Sequence, residues 1–323
     1  MKINQLDDKI IEIIKSLNSK SKPKISMISE NIDISRQTFQ VKFEEYSDLK
    51  IINEFTININ PNVQPNLLIR LIEFKTNPTE PQIIDNLLEI PQLEMLDGIF
   101  GEFSLFSLFS FKNSKEFNQI LSKIDKIMSN SYFKKYQIIE VIKVYKTNGI
   151  RLSDYNFKDF VYDETNEKIL EILKKEQGKS LLSTYEIKNI LKRVYDIEKS
   201  QSTVYNRIKE MEDLNIIINY CVNFNPKKIG FNGKFYLRIK PKDPSNYDEI
   251  ASDLVKKPEI TDLYRIGTEF GIFSIIRVKE IDDYGIFLQD LYDSGEIEDT
   301  YTNFVLDERI PFTNFIIPSY KKK

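Results

Sequence analysis

The 323-residue chain carries 46 basic and 49 acidic residues, a net charge of −3, no histidine and one cysteine. Without histidine it lacks the commonest general base and transition-metal ligand, and one cysteine nearly excludes a structural zinc site; no metal, no cofactor and no enzymatic role are expected. Near-neutral charge gives no global pull toward phosphate, so a nucleic-acid surface has to be a local patch. The length suggests two domains or more. The opening "MKINQLDDKIIEIIKSL" has no basic start before a long apolar stretch, so it does not read as a signal peptide, and no apolar run nears a membrane span. Cys221 is alone, which fits a reducing compartment. A cytoplasmic protein without a membrane partner is the expectation.

In chain order, Ile10, Ile11, Ile13, Ile14 and Leu17 form an apolar face at helical spacing. A short second helix is expected near Ile25–Asn31, and Ser35 stands where an N-cap belongs. Phe39, Phe43 and Tyr46 give a third helix its buried stripe, and the strand "IINEFTININ" ends at Asn60-Pro61. Next come strand 67–75, helix 79–89, strands 92–100 and 102–112, helix 114–129 and strand 136–145. The stretch Ile99 to Phe111, "IFGEFSLFSLFSF", is apolar on both faces. Either another sheet covers the face its own helices leave open, or it is simply a well-filled core. Residues 146–162 form a connection with Gly149 as its natural break and aromatics that suggest packing.

The pattern then starts again. Ile169, Leu170, Ile172 and Leu173 mark a helix, Thr184–Tyr195 a second, Ser200 an N-cap, and Val204, Ile208 and Met211 a third buried stripe. A strand ending at Asn225-Pro226 leads to strand 233–240, helix 245–257, strands 259–267 and 270–279, helix 281–293 and strand 298–306. The tail "PFTNFIIPSY" (311–320) is too apolar to float free and should dock on a sheet edge or a partner. Matched blocks recur in fixed order: "DKIIEIIK" with "EKILEILK", "SRQTF" with "SQSTV", "IINEFTININP" with "IIINYCVNFNP". The offset grows from 159 to 165, about six extra residues between the first helix and Ser200. A period near 160 implies a duplicated domain pair rather than a solenoid.

This reading gives an α+β protein with two winged-helix/helix-turn-helix domains and two ferredoxin-like β-α-β-β-α-β (RAM-type) domains in tandem. The boundaries are 1–60, 61–147, a linker over 148–162, 163–226, and 227–323 with the tail.

The layout and its residues resemble the Lrp/AsnC family of transcriptional regulators. "LDDKIIEIIKSL" resembles that family's opening helix, and "ISRQTFQVKFEEYSDLKII" its recognition helix, usually S-x-x-[TV]-[VF]-x-x-R-[IF]-x-x-L followed by glycine. "GEFSLF" resembles its G-x-[YF]-D strand start. The resemblance covers nearly the whole chain, twice. The arginine of the motif is Lys42 in one copy and Arg207 in the other; the following glycine is Lys50 or Asn215. Asparagine tolerates left-handed geometry and lysine does so poorly, so the first of these turns is expected to differ. The family's effector site would lie near Gly101, Glu102 and Ser104, and near Thr268, Glu269 and Gly271. Ser104 and Gly271 replace the motif's aspartate, which points away from a free amino acid bound in the usual way.

The resemblance implies double-stranded DNA as partner, with the third helix of each copy in a major groove. The outward positions are Arg36, Gln37, Gln40 and Lys42 in one copy and Gln201, Ser202, Tyr205, Asn206 and Arg207 in the other, with Lys199 and Lys209 near its ends. Ser35, Thr38 and Thr203 add hydroxyls for phosphate. Residues 20–42 sum to +3; residues 179–209 hold seven basic against three acidic residues. A covalent pseudo-dimer that reads two unlike half-sites follows, with the ferredoxin-like domains left for assembly into oligomers and for a small-molecule effector. The competing readings are a ligand sensor or scaffold with degenerate helix-turn-helix parts, and an enzyme like the sirohaem decarboxylases, which resemble the same family but use histidines.

Overall fold

The computed structural model describes residues 8–152, 157 and 160–318. Its elements run α1 (Asp8–Ser16), α2 (Ile25–Asn31), α3 (Arg36–Asp48), β1 (Ile52–Ile59), β2 (Leu68–Lys75), α4 (Pro81–Leu88), β3 (Leu93–Ile99), β4 (Leu105–Phe111), α5 (Ser114–Ser129), β5 (Lys135–Thr147) and β6 (Ile150–Arg151). They continue α6 (Glu164–Lys175), α7 (Thr184–Tyr195), α8 (Gln201–Asp213), β7 (Ile217–Phe224), β8 (Gly233–Pro241), α9 (Tyr247–Leu254), β9 (Ile260–Ile266), β10 (Ile272–Val278), α10 (Asp282–Tyr292) and β11 (Ile297–Glu308). Parts of the expected connection (153–156, 158, 159) and of the tail (319–323) lie outside the described residues. Among the described residues no helix is long and apolar enough to cross a membrane.

Two compact units emerge. The first gathers the described residues of Met1–Val63, Asp154–Gly230 and Phe312–Lys323. Ile10, Ile13, Ile14 and Leu17 turn inward from α1, as the spacing requires. Among the described residues neither helix group has a hairpin of its own. Its single strand pairs with the other group's: β1 runs antiparallel to β7, with Thr56 opposite Cys221 and Asn58 opposite Asn219. The expected wings are therefore replaced by one shared ribbon, whose edges satisfy each other's backbone. Helices are exchanged across it. α1 packs on β7 and α6 on β1; Thr56 Oγ1 donates to Lys174 O (2.8 Å), and Ser19 and Tyr220 exchange backbone hydrogen bonds of 3.0 and 2.7 Å. The tail reaches the same ribbon: Thr313 bridges Phe224, and the buried Phe315 ring lies 5.1 Å from that of Phe224. Cys221 is buried there, its thiol pushed up to about 12 by burial, which leaves it unreactive.

The second unit comprises Gln64–Ser153 and Phe231–Pro311. Its strands are hydrogen-bonded in the order β2-β4-β3-β11-β8-β10-β9-β5, and β5 also pairs with β2, closing an eight-stranded ring; β6 hangs on β5 outside it. Each β-α-β-β-α-β segment contributes four consecutive strands, and the seams are β3–β11 and β5–β9. Alternation does the rest. On the outer faces, Ile72, Phe74, Leu105 and Phe109 meet α4 and α5, while Leu237, Ile239 and Ile272 meet α9 and α10. Leu71, Phe106, Leu108, Tyr236, Phe273 and Ile275 fill the interior, where the Phe106 and Phe273 rings stack at 5.1 Å. The strand apolar on both faces is thus covered twice, and the second sheet comes from the same chain. Gly149 is not a break in a linker: Asn148 (φ 48) and Gly149 (φ 78) form the two-residue turn of the β5–β6 hairpin, which needs positive φ at both positions.

Candidate nucleic-acid interface

The third helix of each group is built on the same local rules. Ser35 is the N-cap of α3, its Oγ accepting from Thr38 N (3.0 Å) and lying 2.8 Å from Thr38 Oγ1. Ser200 caps α8 in the same way, accepting from Thr203 N (3.1 Å). Each cap satisfies an N–H the helix would otherwise leave bare. Phe39, Phe43 and Tyr46 bury one face of α3, with Phe43 stacked on Phe55 at 5.1 Å. Val204, Ile208 and Met211 bury the matching face of α8.

The opposite faces are polar. Arg36, Gln37, Thr38 and Gln40 are exposed on α3. On α8, Gln201, Ser202, Tyr205 and Asn206 are exposed, with Tyr205 at 56% of its area. Gln201 Nε2 donates to Thr184 Oγ1 (3.2 Å), and Ser202 Oγ lies 2.8 Å from Ser200 Oγ. Thr203 and Lys199 are half-buried.

Three expectations change. Arg207 does not project outward. Its position flanks the buried stripe, and its guanidinium donates to Asp163 Oδ1 at 2.7 Å. Asp163 is itself the N-cap of α6, accepting from Asn166 N (2.8 Å). Burial pushes the Asp163 carboxyl up, but the Asn166 N–H and the Arg207 guanidinium outweigh it and hold it below the usual range. Lys42 also lies back: half-buried, its Nζ sits 5.7 Å from the Tyr46 ring centroid. The turn after α3 does not differ from its counterpart. Lys50 (φ 55) and Asn215 (φ 53) are both left-handed. The Ile51 N–H bonds Tyr46 O (2.8 Å) as Ile216 N–H bonds Met211 O (2.9 Å), and that helix-ending pattern outweighs the strain on lysine.

The extra residues of the second copy fall in two places. α7 has 12 residues where α2 has 7, and the turn from Asp196 to Ser200 is longer than that from Asp33 to Ser35; both aspartates are left-handed. Positive charge near α8 is partly answered within the molecule. Of the seven basic residues counted there, four are in ion pairs: Lys179–Asp48 (3.6 Å), Lys192–Glu198, Arg207–Asp163 and Lys209–Asp213 (2.7 Å each). The three exposed pairs, Lys179–Asp48, Lys192–Glu198 and Lys209–Asp213, are of a weak kind, and phosphate can compete for their cations.

The expected effector positions lie in the second unit. Glu102 pairs with Lys135 (2.5 Å). Ser104 Oγ accepts from Thr76 N (2.8 Å) and lies 2.9 Å from Thr76 Oγ1, so it closes a strand end. Thr268 and Glu269 are exposed, the latter 3.4 Å from Lys240 Nζ. Gly271 (φ 73) is buried where a Cβ would collide with Tyr247 and Arg265; its carbonyl accepts from Arg265 Nη1 at 2.6 Å. The two loops converge on Tyr301: a Cβ at Gly101 would lie 3.5 Å from its hydroxyl, and the Phe270 ring is 6.2 Å away. Sequence reasoning passed over Asp163, and also the buried charges of the second unit: Asp97, Lys234, Arg277 and Glu308. The signal was present as charges interrupting apolar strands, in "GKFYLRIKP" and "IFSIIRV".

A profile of the Lrp/AsnC ligand binding domain matches residues 235–315. The HTH-type transcriptional regulator FL11 of Pyrococcus furiosus is 30% identical over 146 residues, 45% of this chain and 90% of that protein. The HTH-type transcriptional regulator Ptr1 of Methanocaldococcus jannaschii is 34% identical over 89 residues, 28% of this chain and 60% of that one. Over nearly the whole chain the fold is similar to the siroheme decarboxylase NirDL, with a TM-score of 0.60 and 12% identity across 94% of this chain and 93% of the other.

Proposed function

The chain belongs to the Lrp/AsnC family of transcriptional regulators, and on that premise we propose that it binds double-stranded DNA as a covalent pseudo-dimer, α3 and α8 being the recognition helices of two helix-turn-helix domains that arose by duplication. One observation carries the reading: two capped 13-residue helices with exposed polar faces belong to groups tied together by the β1–β7 ribbon. A family member of single length would need a second chain to supply the other helix. Arg36, Gln37 and Gln40 on one helix differ from Gln201, Tyr205 and Asn206 on the other, so the half-sites are unlike. Gln and Asn suit adenine and Arg suits guanine. The ring-shaped second unit serves assembly, and its loops at Tyr301 offer a place for a small-molecule effector.

Footprinting tests this. R36A/Q40A should weaken protection at one half-site and Y205A/N206A at the other, each by roughly tenfold or more. Equal loss at both half-sites from either variant contradicts the pseudo-dimer. Binding should also fall steeply with salt.

A second reading, favoured by the whole-chain fold similarity to NirDL, is tetrapyrrole decarboxylation. The chain has no histidine for proton transfer, and we propose that it is not an enzyme. Incubation with an iron tetrapyrrole followed by absorbance spectroscopy separates the two: a bound-state band with product formation would favour the enzyme.

A further inference from the structure

We infer that the inner faces of the two four-stranded sheets in the second unit are matched by charge to each other, so that each half accepts the other and rejects a second copy of itself. The registers define which positions correspond. Glu73 on β2 lies opposite Phe106, and Arg238 on β8 lies opposite Phe273. These two equivalent residues carry opposite charges and pair across the ring: Arg238 Nη2 to Glu73 Oε1 is 2.5 Å, with the side chains 12% and 2% exposed. Gln137 also donates to Glu73, and the guanidinium stacks 5.1 Å from the Tyr301 centroid.

The seams differ in the same sense. At β3–β11, Glu308 stands opposite Asp97, two carboxyls side by side. Lys234 Nζ reconciles them, bonding Asp97 and Glu308 (3.1 Å), and Arg277 Nη2 bonds Glu308 at 2.5 Å. Tyr236 donates to Asp97. At β5–β9, Val144 stands opposite Tyr264 in the corresponding places, and Ile69, Leu71 and Ser110 replace Lys234, Tyr236 and Arg277. At these corresponding positions one seam is ionic and the other is not. The buried Lys146 and Asp262 of the β5–β9 seam lie outside them, Lys146 Nζ donating to Val255 O and Lys257 O (2.9 Å each) and Asp262 accepting from the Tyr264 hydroxyl (3.2 Å).

Each homotypic alternative fails on these residues. Two first halves would face Glu73 with Glu73 and leave Asp97 against Val144, with Ile69 in the place of the lysine. Two second halves would face Arg238 with Arg238 and leave Lys234 and Arg277 to share Glu308. Only one half of each kind sets three carboxyls against three basic groups. Buried charge without a partner is strongly disfavoured, whereas a satisfied pair adds little over apolar packing; the network therefore acts on partner choice more than on stability.

The full-length chain can be made to imitate the rejected pairings. Glu73→Arg puts arginine against arginine, Arg238→Glu puts glutamate against glutamate, Glu73→Arg/Arg238→Glu restores a reversed pair, and Glu73→Leu/Arg238→Leu is the apolar reference. Thermal unfolding followed by circular dichroism should place each single variant roughly 10 °C below the apolar reference, with at least half of that recovered in the reversed pair. Should the singles fail to fold, recovery of folded protein in the reversed pair gives the same answer. Singles as stable as the reference, or a reversed pair no better than the singles, would overturn the inference. No readout involves DNA, so it stands or falls separately from the regulatory reading.

Discussion

In the first helix group α2 has seven residues and follows Lys24 at the N-cap position, which offers no side-chain cap. In the second, α7 has twelve and opens on a complete capping box, Ser183 with Glu186. The contrast extends to their third helices. α3 rests on stacked aromatics, Phe39 on Phe43 at 6.2 Å and Phe43 on Phe55. α8 rests on aliphatic side chains, and Arg207 is tied to the N-cap of α6. One group leans on ring packing, the other on aliphatic packing reinforced by polar contacts at helix ends. Two routes to one layout leave α3 and α8 free to carry different outward residues.

Four measurements would break or sharpen this contrast. The largest effect should come from Phe43→Ala, about 3–5 kcal/mol as expected for emptying a buried aromatic site. Hydrogen exchange should show α3 losing protection well before α8; equal loss would mean the groups are not separately supported. Asp163→Ala should cost about 1–2 kcal/mol through loss of a cap and of the partner of Arg207, with faster exchange in α6 and α8 and little change in α3. Acid should act on the same clasp. The Asp163 carboxyl titrates below its ordinary range when folded, so the stability it contributes is present above an unfolded value near 3.9 and is lost as pH falls from there through the folded value. Exchange in α8 should then rise on acidification, and the Asp163→Ala variant should lack that component. Smallest is Lys50→Gly, which relieves left-handed lysine and should stabilise by about 1 kcal/mol in chemical denaturation. Asn215→Gly should gain less, since asparagine tolerates that geometry.

Much of the fold was legible because periodicity and caps act locally. Ile25–Asn31, Ser114–Ser129 and Thr184–Tyr195 form helices where their patterns place them, and Ser35 and Ser200 cap as their hydroxyls allow. The buried stripes of α3 and α8 follow from spacing alone. Lost to the sequence was everything set by residues far apart. Gly149 looked like a break until β6 folded back on β5. Arg207 looked free until Asp163, 44 positions away, took its guanidinium. Lys50 is a different case: its left-handed turn is closed locally, by the Ile51 N–H on Tyr46 O, and a lysine letter does not announce it. The interior charges were visible as letters, but no local rule says that Glu73 will meet Arg238.

The ribbon bears on how the chain is made. Thr56 and Cys221 touch across it although 165 positions separate them, so a ribosome adding about 5–20 residues per second leaves β1 waiting some ten to thirty seconds for β7. Throughout that interval the apolar side of β1 and its unpaired edge stand open to other nascent chains, and a chaperone that shields this one strand would decide the yield of native protein.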